Sequence, residues 1–224
     1  MQAEYTVSPE EGQTRSDAPE LVGRIQQALK RGNLEEARQE CHSLEQEPGQ
    51  QAAAEHLFGL IELRAGDYAQ ALPRFEAALA LQEDRPDMWA NYGSAQVMLG
   101  GAEKAISSLQ RAIELDPEYE DALLNLGALY LRTERVTEAL DTLDQAVQIR
   151  PSARGFSLLA QGLYKQGNTD NAATCALAAY NLGPEDGETR AELMRMLGLV
   201  GHSREARLLA EGMVKQENNF SSEP

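Results

Sequence analysis

Residues 86–119, PDMWANYGSAQVMLGGAEKAISSLQRAIELDPEY, decide the fold of this chain. Apolar residues between Trp89 and Met98 recur at helical spacing, and Gly100 then interrupts the pattern. A second helical pattern runs to Leu115, and Pro117 ends it because proline cannot continue the hydrogen-bond ladder of a helix. The stretch therefore predicts two helices joined by a tight turn.

The same pattern returns along most of the chain. Gly32, Gly66 and Gly100 are 34 residues apart, and each is followed five positions later by an alanine. The alanine series keeps this spacing, with one step shortened to 33 residues, at Ala37, Ala71, Ala105, Ala139, Ala172 and Ala206. A fixed period of this length is typical of stacked helix–turn–helix units, so we expect an all-α solenoid.

The repeated unit resembles the tetratricopeptide repeat. In residues 86–119 the family pattern is present as Trp89, Tyr92-Gly93, Gln96, Ala105, Leu109, Ala112 and Pro117. Gln96 departs from the aromatic residue that is usual at its position. In the following unit Glu134 and Arg135 stand where the turn between the helices usually contains glycine. The resemblance implies a right-handed superhelical solenoid of about six units.

This resemblance covers about nine-tenths of the chain and divides it into units. The expected unit boundaries are 18–51, 52–85, 86–119, 120–152, 153–186 and 187–216. The first and last units match the pattern least well, as is typical of terminal repeats that cap an array. Residues 1–17 and 217–224 are polar, and we expect disordered extensions there. Whether the acidic N-terminal extension occupies the groove of the array is left open.

The charge of the chain argues against nucleic acid as a ligand. There are 36 acidic and 20 basic residues, giving a net charge of −16, and such a chain repels phosphate backbones. The N-terminus lacks the basic and apolar regions of a signal peptide, and no stretch is long enough to cross a bilayer. We therefore expect a cytoplasmic protein without membrane insertion. Cys41 and Cys175 lie on apolar helix positions and are interpreted as reduced core residues.

No catalytic or cofactor-binding motif is present in the sequence. His42, His56 and His202 are not spaced as metal ligands, and there is no HExxH, P-loop or dinucleotide fingerprint. The GxSxG motif of esterases is not completed after Ser157, because Leu159 stands where glycine is required. We therefore expect no metal, no cofactor and no enzymatic activity.

The resemblance also implies a binding surface. In the family, the first helix of each unit lines the concave face of the superhelix, and fixed positions of that helix contact a bound peptide. Transferred to this chain, those positions give as candidates His56, Leu60, Arg64, Asn91, Ser94, Met98, Leu124, Asn125, Leu131, Arg132, Arg154, Gln161, Tyr164 and Lys165.

Two asparagines stand out among these candidates. Asn91 and Asn125 occupy the same place in consecutive units, and an amide offers donors and an acceptor together. Such a pair could hold a peptide backbone whatever its side chains. It is similar to a short piece of the asparagine ladder in the repeat arrays of O-linked N-acetylglucosamine transferases.

A row of cations is the second distinctive feature. Lys30, Arg64, Arg132 and Lys165 occupy equivalent positions. They could attract acidic side chains or a C-terminal carboxylate, or they could stabilise the C-terminal ends of their own helices. The carboxylate clamp of chaperone-binding family members is not reproduced, because Ala90 and Ser94 replace its lysine and asparagine. This argues against a receptor for Hsp70 or Hsp90 tails.

These observations favour a non-catalytic protein–protein interaction module, either an adaptor or a chaperone-like scaffold, that binds a peptide segment of a partner protein in its concave groove. One alternative is a structural scaffold that self-assembles into a homo-oligomer through the ends of the array. Another is a regulatory or targeting subunit of a separately encoded enzyme, such as a glycosyltransferase or sulfotransferase. The fold does not choose the partner or the pathway.

Overall fold

The computed structural model describes residues 17–184 and 186–209 of the chain. Within these ranges there are twelve helices and no strand, so the predicted all-α solenoid is confirmed. The helices are α1 (Ala18–Arg31), α2 (Leu34–Glu45), α3 (Gln51–Ala65), α4 (Tyr68–Leu81), α5 (Pro86–Met98), α6 (Ala102–Leu115), α7 (Glu120–Arg132), α8 (Val136–Ile149), α9 (Ala153–Lys165), α10 (Thr169–Leu182), α11 (Gly187–Leu199) and α12 (203–209). The predicted extensions, apart from Asp17, lie outside the described residues, and the predicted unit boundaries stay predictions.

The helices form two layers. The odd-numbered helices, called first helices here, pack against one another in the series α3, α5, α7, α9 and α11. Those from α3 to α9 also pack against the even-numbered second helix that follows each of them. Because the first helices approach one another along the array and the second helices do not, the first helices lie on the inner, concave side of the curve.

A left-handed residue makes the turn from first to second helix. Gly32, Gly66, Gly100 and Gly167 all have φ between 73° and 86° at this place. Glu134 takes the equivalent position with φ of 60°, and it is the sole non-glycine residue with positive φ in the described parts of the chain. The turn geometry therefore persists where the sequence departs from the family pattern.

Small residues set the spacing between the two helices of a pair. A Cβ atom on Gly127 would lie 2.5 Å from Cγ and Cδ2 of Leu143, and one on Gly59 would lie 2.6 Å from the ring of Phe75. Both large partners are fully buried. The glycines therefore allow the second helix to bring a large side chain directly against the backbone of the first.

The apolar interior is divided along the array. The largest cluster of buried side chains runs from Ala90 to Leu159 and includes seven of the 13 residues of α7. Separate clusters lie in residues 18–61 and 160–197. One buried polar pair accompanies them, because Ser108 Oγ donates a 2.9 Å hydrogen bond to Gln96 Oε1. This pairing explains how glutamine is accommodated at a position that is aromatic in the family.

No helix in residues 17–184 or 186–209 has the length and apolar character needed to cross a bilayer.

Candidate functional site

A cavity of about 420 Å³ opens on the concave side of the array. This concave cavity is lined by residues of every first helix from α3 to α11, with two residues from second helices. Its lining consists of Leu63, Tyr68, Ser94, Val97, Met98, Leu109, Asn125, Ala128, Leu129, Arg132, Arg154 and Glu188. The first helices create this shared surface because they pack side by side along the inside of the curve.

Five of the fourteen predicted site residues line the concave cavity: Ser94, Met98, Asn125, Arg132 and Arg154. They come from α5, α7 and α9, so the structure brings together residues up to 60 positions apart in the sequence. Met98 is 53% exposed, a large value for an apolar side chain facing a cavity. The middle of the array therefore carries the most complete part of the predicted surface.

The two predicted leucines of α7 do not offer a surface to a partner. Leu124 and Leu131 are only 3% and 4% exposed, and both belong to the largest apolar cluster. Their side chains pack toward α9, where they come within contact distance of the Cβ positions of Gly155 and Gly162. The expectation that these leucines line an open groove is corrected, because they fill the space between neighbouring first helices.

The two candidate asparagines are already engaged inside the protein. Asn125 donates through Nδ2 to Ser94 Oγ at 3.3 Å and accepts from Arg154 through Oδ1 at 2.7 Å. Asn91 Nδ2 lies 2.9 Å from Nε2 of His56. These side chains connect first helices of successive pairs. One of the two amide hydrogens of Asn125 and one lone pair of its oxygen are therefore used inside the protein, which leaves this amide less free to hold a peptide backbone than the sequence predicts.

His56 is mostly buried beside Asn91. Burial lowers the pKa of His56, and the nearby carboxylate of Asp87 opposes this effect only in part. A neutral ring allows Nε2 to accept the amide of Asn91, leaving a proton on Nδ1, which faces Asp87 Oδ2 at 3.9 Å. His56 thus acts as a structural connection between α3 and α5.

The cations of the predicted row differ in their surroundings. Lys165 pairs with Glu134 at 2.8 Å. Lys30, Arg64 and Arg132 are exposed in the last turns of their helices and form no ion pair with any residue of 17–184 or 186–209. Of these three, Arg132 lines the concave cavity.

The remaining predicted residues lie outside the lining of the cavity. Leu60 is half-buried and packs against two of the apolar clusters, and Gln161 is also half-buried. Tyr164 is 37% exposed.

Seven lining residues are not among the fourteen candidates, and Tyr68 and Glu188 are two of them. Tyr68 begins a second helix, so a rule restricted to first helices passes over it. Glu188 is the second residue of α11 and is equivalent to Arg154, the second residue of α9. Extending the positional rule to the sixth unit would have found Glu188.

No group of three or more histidine, cysteine or acidic side chains in the described ranges could hold a metal ion. Burial raises the pKa of the Cys41 thiol to about 12, and burial also raises the pKa of Cys175. Neither thiol is therefore activated as a nucleophile.

Comparison with known proteins agrees with this fold. Two models of the tetratricopeptide repeat match the chain, at residues 56–120 and 100–162. No curated protein sequence matches the chain.

Several solved structures are similar. PilF of Pseudomonas aeruginosa is 17% identical with a TM-score of 0.73, and the match covers 92% of this chain and 93% of that one. TTC0263, a tetratricopeptide repeat protein of Thermus thermophilus, is 21% identical with a TM-score of 0.69, covering 80% and 98%. MamA of Desulfovibrio magneticus RS-1, from residue 41 to its end, is 21% identical with a TM-score of 0.61, covering 78% and 99%. At these identities the similarity shows the fold.

Proposed function

Because the chain belongs to the tetratricopeptide repeat family, whose members are generally non-catalytic interaction modules, we propose that it is an adaptor or scaffold that binds a peptide segment of a partner protein on its concave face. The observation that carries this proposal is the concave cavity, which extends across the first helices from α3 to α11. A surface shared by successive pairs suits an extended or helical segment that crosses several of them.

The chemistry of the cavity favours recognition through side chains. Leu63, Val97 and Met98 supply apolar surface, and Arg132 supplies a positive charge in the same cavity. The amide of Asn125 is committed to Ser94 and Arg154, so it contributes less to holding a peptide backbone. A partner is therefore selected by the pattern of its side chains.

Capture of partners from a native lysate by two matched variants tests the proposal. Met98→Glu with Arg132→Glu places two negative charges in the cavity and removes one of its two arginines. Leu81→Glu with Lys104→Glu makes equivalent changes at residues that do not line it, and Leu81 is 59% exposed, similar to Met98 at 53%. We expect the first variant to lose partners that both the wild-type protein and the control retain.

Three results would contradict binding in the cavity. Equal capture by both variants would move the interface elsewhere on the chain. A molar mass that rises with concentration, with no partner captured, would favour the self-assembling scaffold. Co-purification of an enzymatic activity that tolerates the cavity variant would favour a regulatory or targeting subunit. Far-ultraviolet circular dichroism of each variant checks that the helices remain intact.

A cytoplasmic location is also part of the proposal. Cys41 and Cys175 are both free thiols, which suits a reducing compartment. Fractionation of cells that express the tagged chain tests this, and recovery with secreted or envelope material would contradict it.

A further inference from the structure

We propose that the partner segment bound in the concave cavity is an acidic–aliphatic peptide, in which a side-chain carboxylate pairs with Arg132 and a neighbouring leucine, isoleucine or methionine packs on Met98. This inference rests on the proposed function and names the chemistry of the occupant.

The first support is the unpaired state of Arg132. Nine other arginines in the described ranges form ion pairs with carboxylates. Arg132 has no such partner among the residues of 17–184 and 186–209, although acidic residues outnumber basic ones by 36 to 20 in the chain. Its guanidinium therefore has its full set of donors available for a carboxylate from another molecule.

The second support is the distribution of charge within the concave cavity. Among the described residues, Glu188 is the single acidic one that lines it, and it lies in the first turn of α11. Arg154, in the first turn of α9, lines the same cavity and donates to Asn125. Arg132 instead ends α7, a 13-residue helix that spans about 20 Å. Arg132 and Glu188 line the cavity from different first helices, and Glu188 is not an ion-pair partner of Arg132.

The third support is the apolar surface of the same cavity. Val97 and Met98 end α5, and Leu63 lies near the end of α3. Leu63, Val97 and Met98 line the same cavity as Arg132, so the cavity offers both apolar surface and a cation. A bound aliphatic side chain would cover Met98, which is 53% exposed.

The overall charge narrows the choice of anion. A net charge of −16 repels a polyanion such as nucleic acid, whereas a single carboxylate meets a local cation at short range. A bidentate pair with Arg132 fits a carboxylate well. A peptide with an acidic residue next to an aliphatic one offers a carboxylate to Arg132 and an apolar side chain to Met98.

Selection from a displayed library of random dodecapeptides tests this inference on the full chain. Three proteins are used: the wild type, Arg132→Glu, and the matched control Lys104→Glu. We expect the wild type and the control to enrich Asp or Glu within two positions of Leu, Ile or Met. The Arg132→Glu protein should exchange the acidic preference for Lys or Arg while keeping the aliphatic one.

A synthetic peptide with a selected sequence is then used to measure how much the Arg132→Glu substitution weakens binding. Fluorescence anisotropy should show binding about 10- to 100-fold weaker to Arg132→Glu than to Lys104→Glu, since a charge-assisted hydrogen-bonded pair is lost. Replacing the acidic residue of the peptide by lysine should restore much of the binding to Arg132→Glu. This exchange of partners separates recognition from misfolding, because a misfolded protein would bind neither peptide.

The outcomes distinguish this inference from the proposed function. Enriched peptides without an acidic preference, or a preference unchanged in Arg132→Glu, would overturn the acidic–aliphatic partner and leave peptide binding standing. No enrichment above uncoated support would overturn both.

Discussion

Replacing Gly127 by alanine should destabilise the protein, although alanine is the better helix former. Alanine in place of glycine within a helix contributes about 0.5–1 kcal/mol of stability. At Gly127, however, the added Cβ would lie 2.5 Å from two carbon atoms of the fully buried Leu143. Overpacking of this kind costs about 1–3 kcal/mol, so we expect a net loss of about 1–2 kcal/mol.

The matched control is Gly23→Ala in α1, because a Cβ there would have no neighbouring atom within 4 Å. Urea unfolding followed by circular dichroism should place the midpoint of Gly127→Ala below that of the wild type and the midpoint of Gly23→Ala above it. In a Leu143→Ala background the clash is removed, and Gly127→Ala should there become neutral or stabilising. A cost that is equal in both backgrounds would refute the steric explanation.

Three further predictions concern single sites. Glu134→Gly should raise the free energy of unfolding by up to about 1 kcal/mol in urea titrations. Glycine adopts the left-handed backbone without the steric cost that glutamate has there, and this gain exceeds the loss of the exposed ion pair with Lys165. A clear loss of stability would contradict this. Because the pKa of His56 is lowered in the folded protein, the unfolded chain binds a proton at this residue more strongly. The neutral, buried His56 therefore contributes fully to the free energy of unfolding above about pH 6.5, and this contribution is lost as the pH falls toward the folded pKa. The midpoint of unfolding should therefore depend less on pH between 7 and 5 in His56→Gln than in the wild type, and equal slopes would exclude this assignment. Gln96→Ala should cost about 1–3 kcal/mol because Ser108 loses its buried acceptor, whereas Gln96→Leu combined with Ser108→Ala should be nearly neutral by thermal unfolding; equal losses would show that the hydrogen bond is not the cause.

The period of glycines and alanines was sufficient to predict the helix pairs and their turns. These residues act within their own unit. Gly100 forms the turn between two helices, and the absence of a side chain at Gly93 allows the second helix of the pair to approach closely. Even Glu134 keeps the left-handed turn, because helices packed on either side fix the backbone between them. Repetition therefore carried most of the information about the fold.

The candidate site was less predictable because its contacts join different repeats. Asn91 meets His56 and Asn125 meets Ser94 across separations of 35 and 31 residues, so these contacts depend on residues of two different units. A positional rule names residues on a helix face but does not state whether a neighbouring helix covers them. Leu124 shows the difference, since it holds a predicted groove position and yet is covered by α9.

The pattern of helix packing has a consequence for how long such an array can be. Each first helix in the middle of the array packs substantially only against helices one or two positions away in the chain. A duplicated copy of residues 86–119 inserted after residue 119 would therefore meet surfaces of the kinds already present on both sides. Gene duplication could extend the concave face by one repeat without requiring any existing side chain to change. The length of partner segment that the concave face can contact is thus set by the number of repeats.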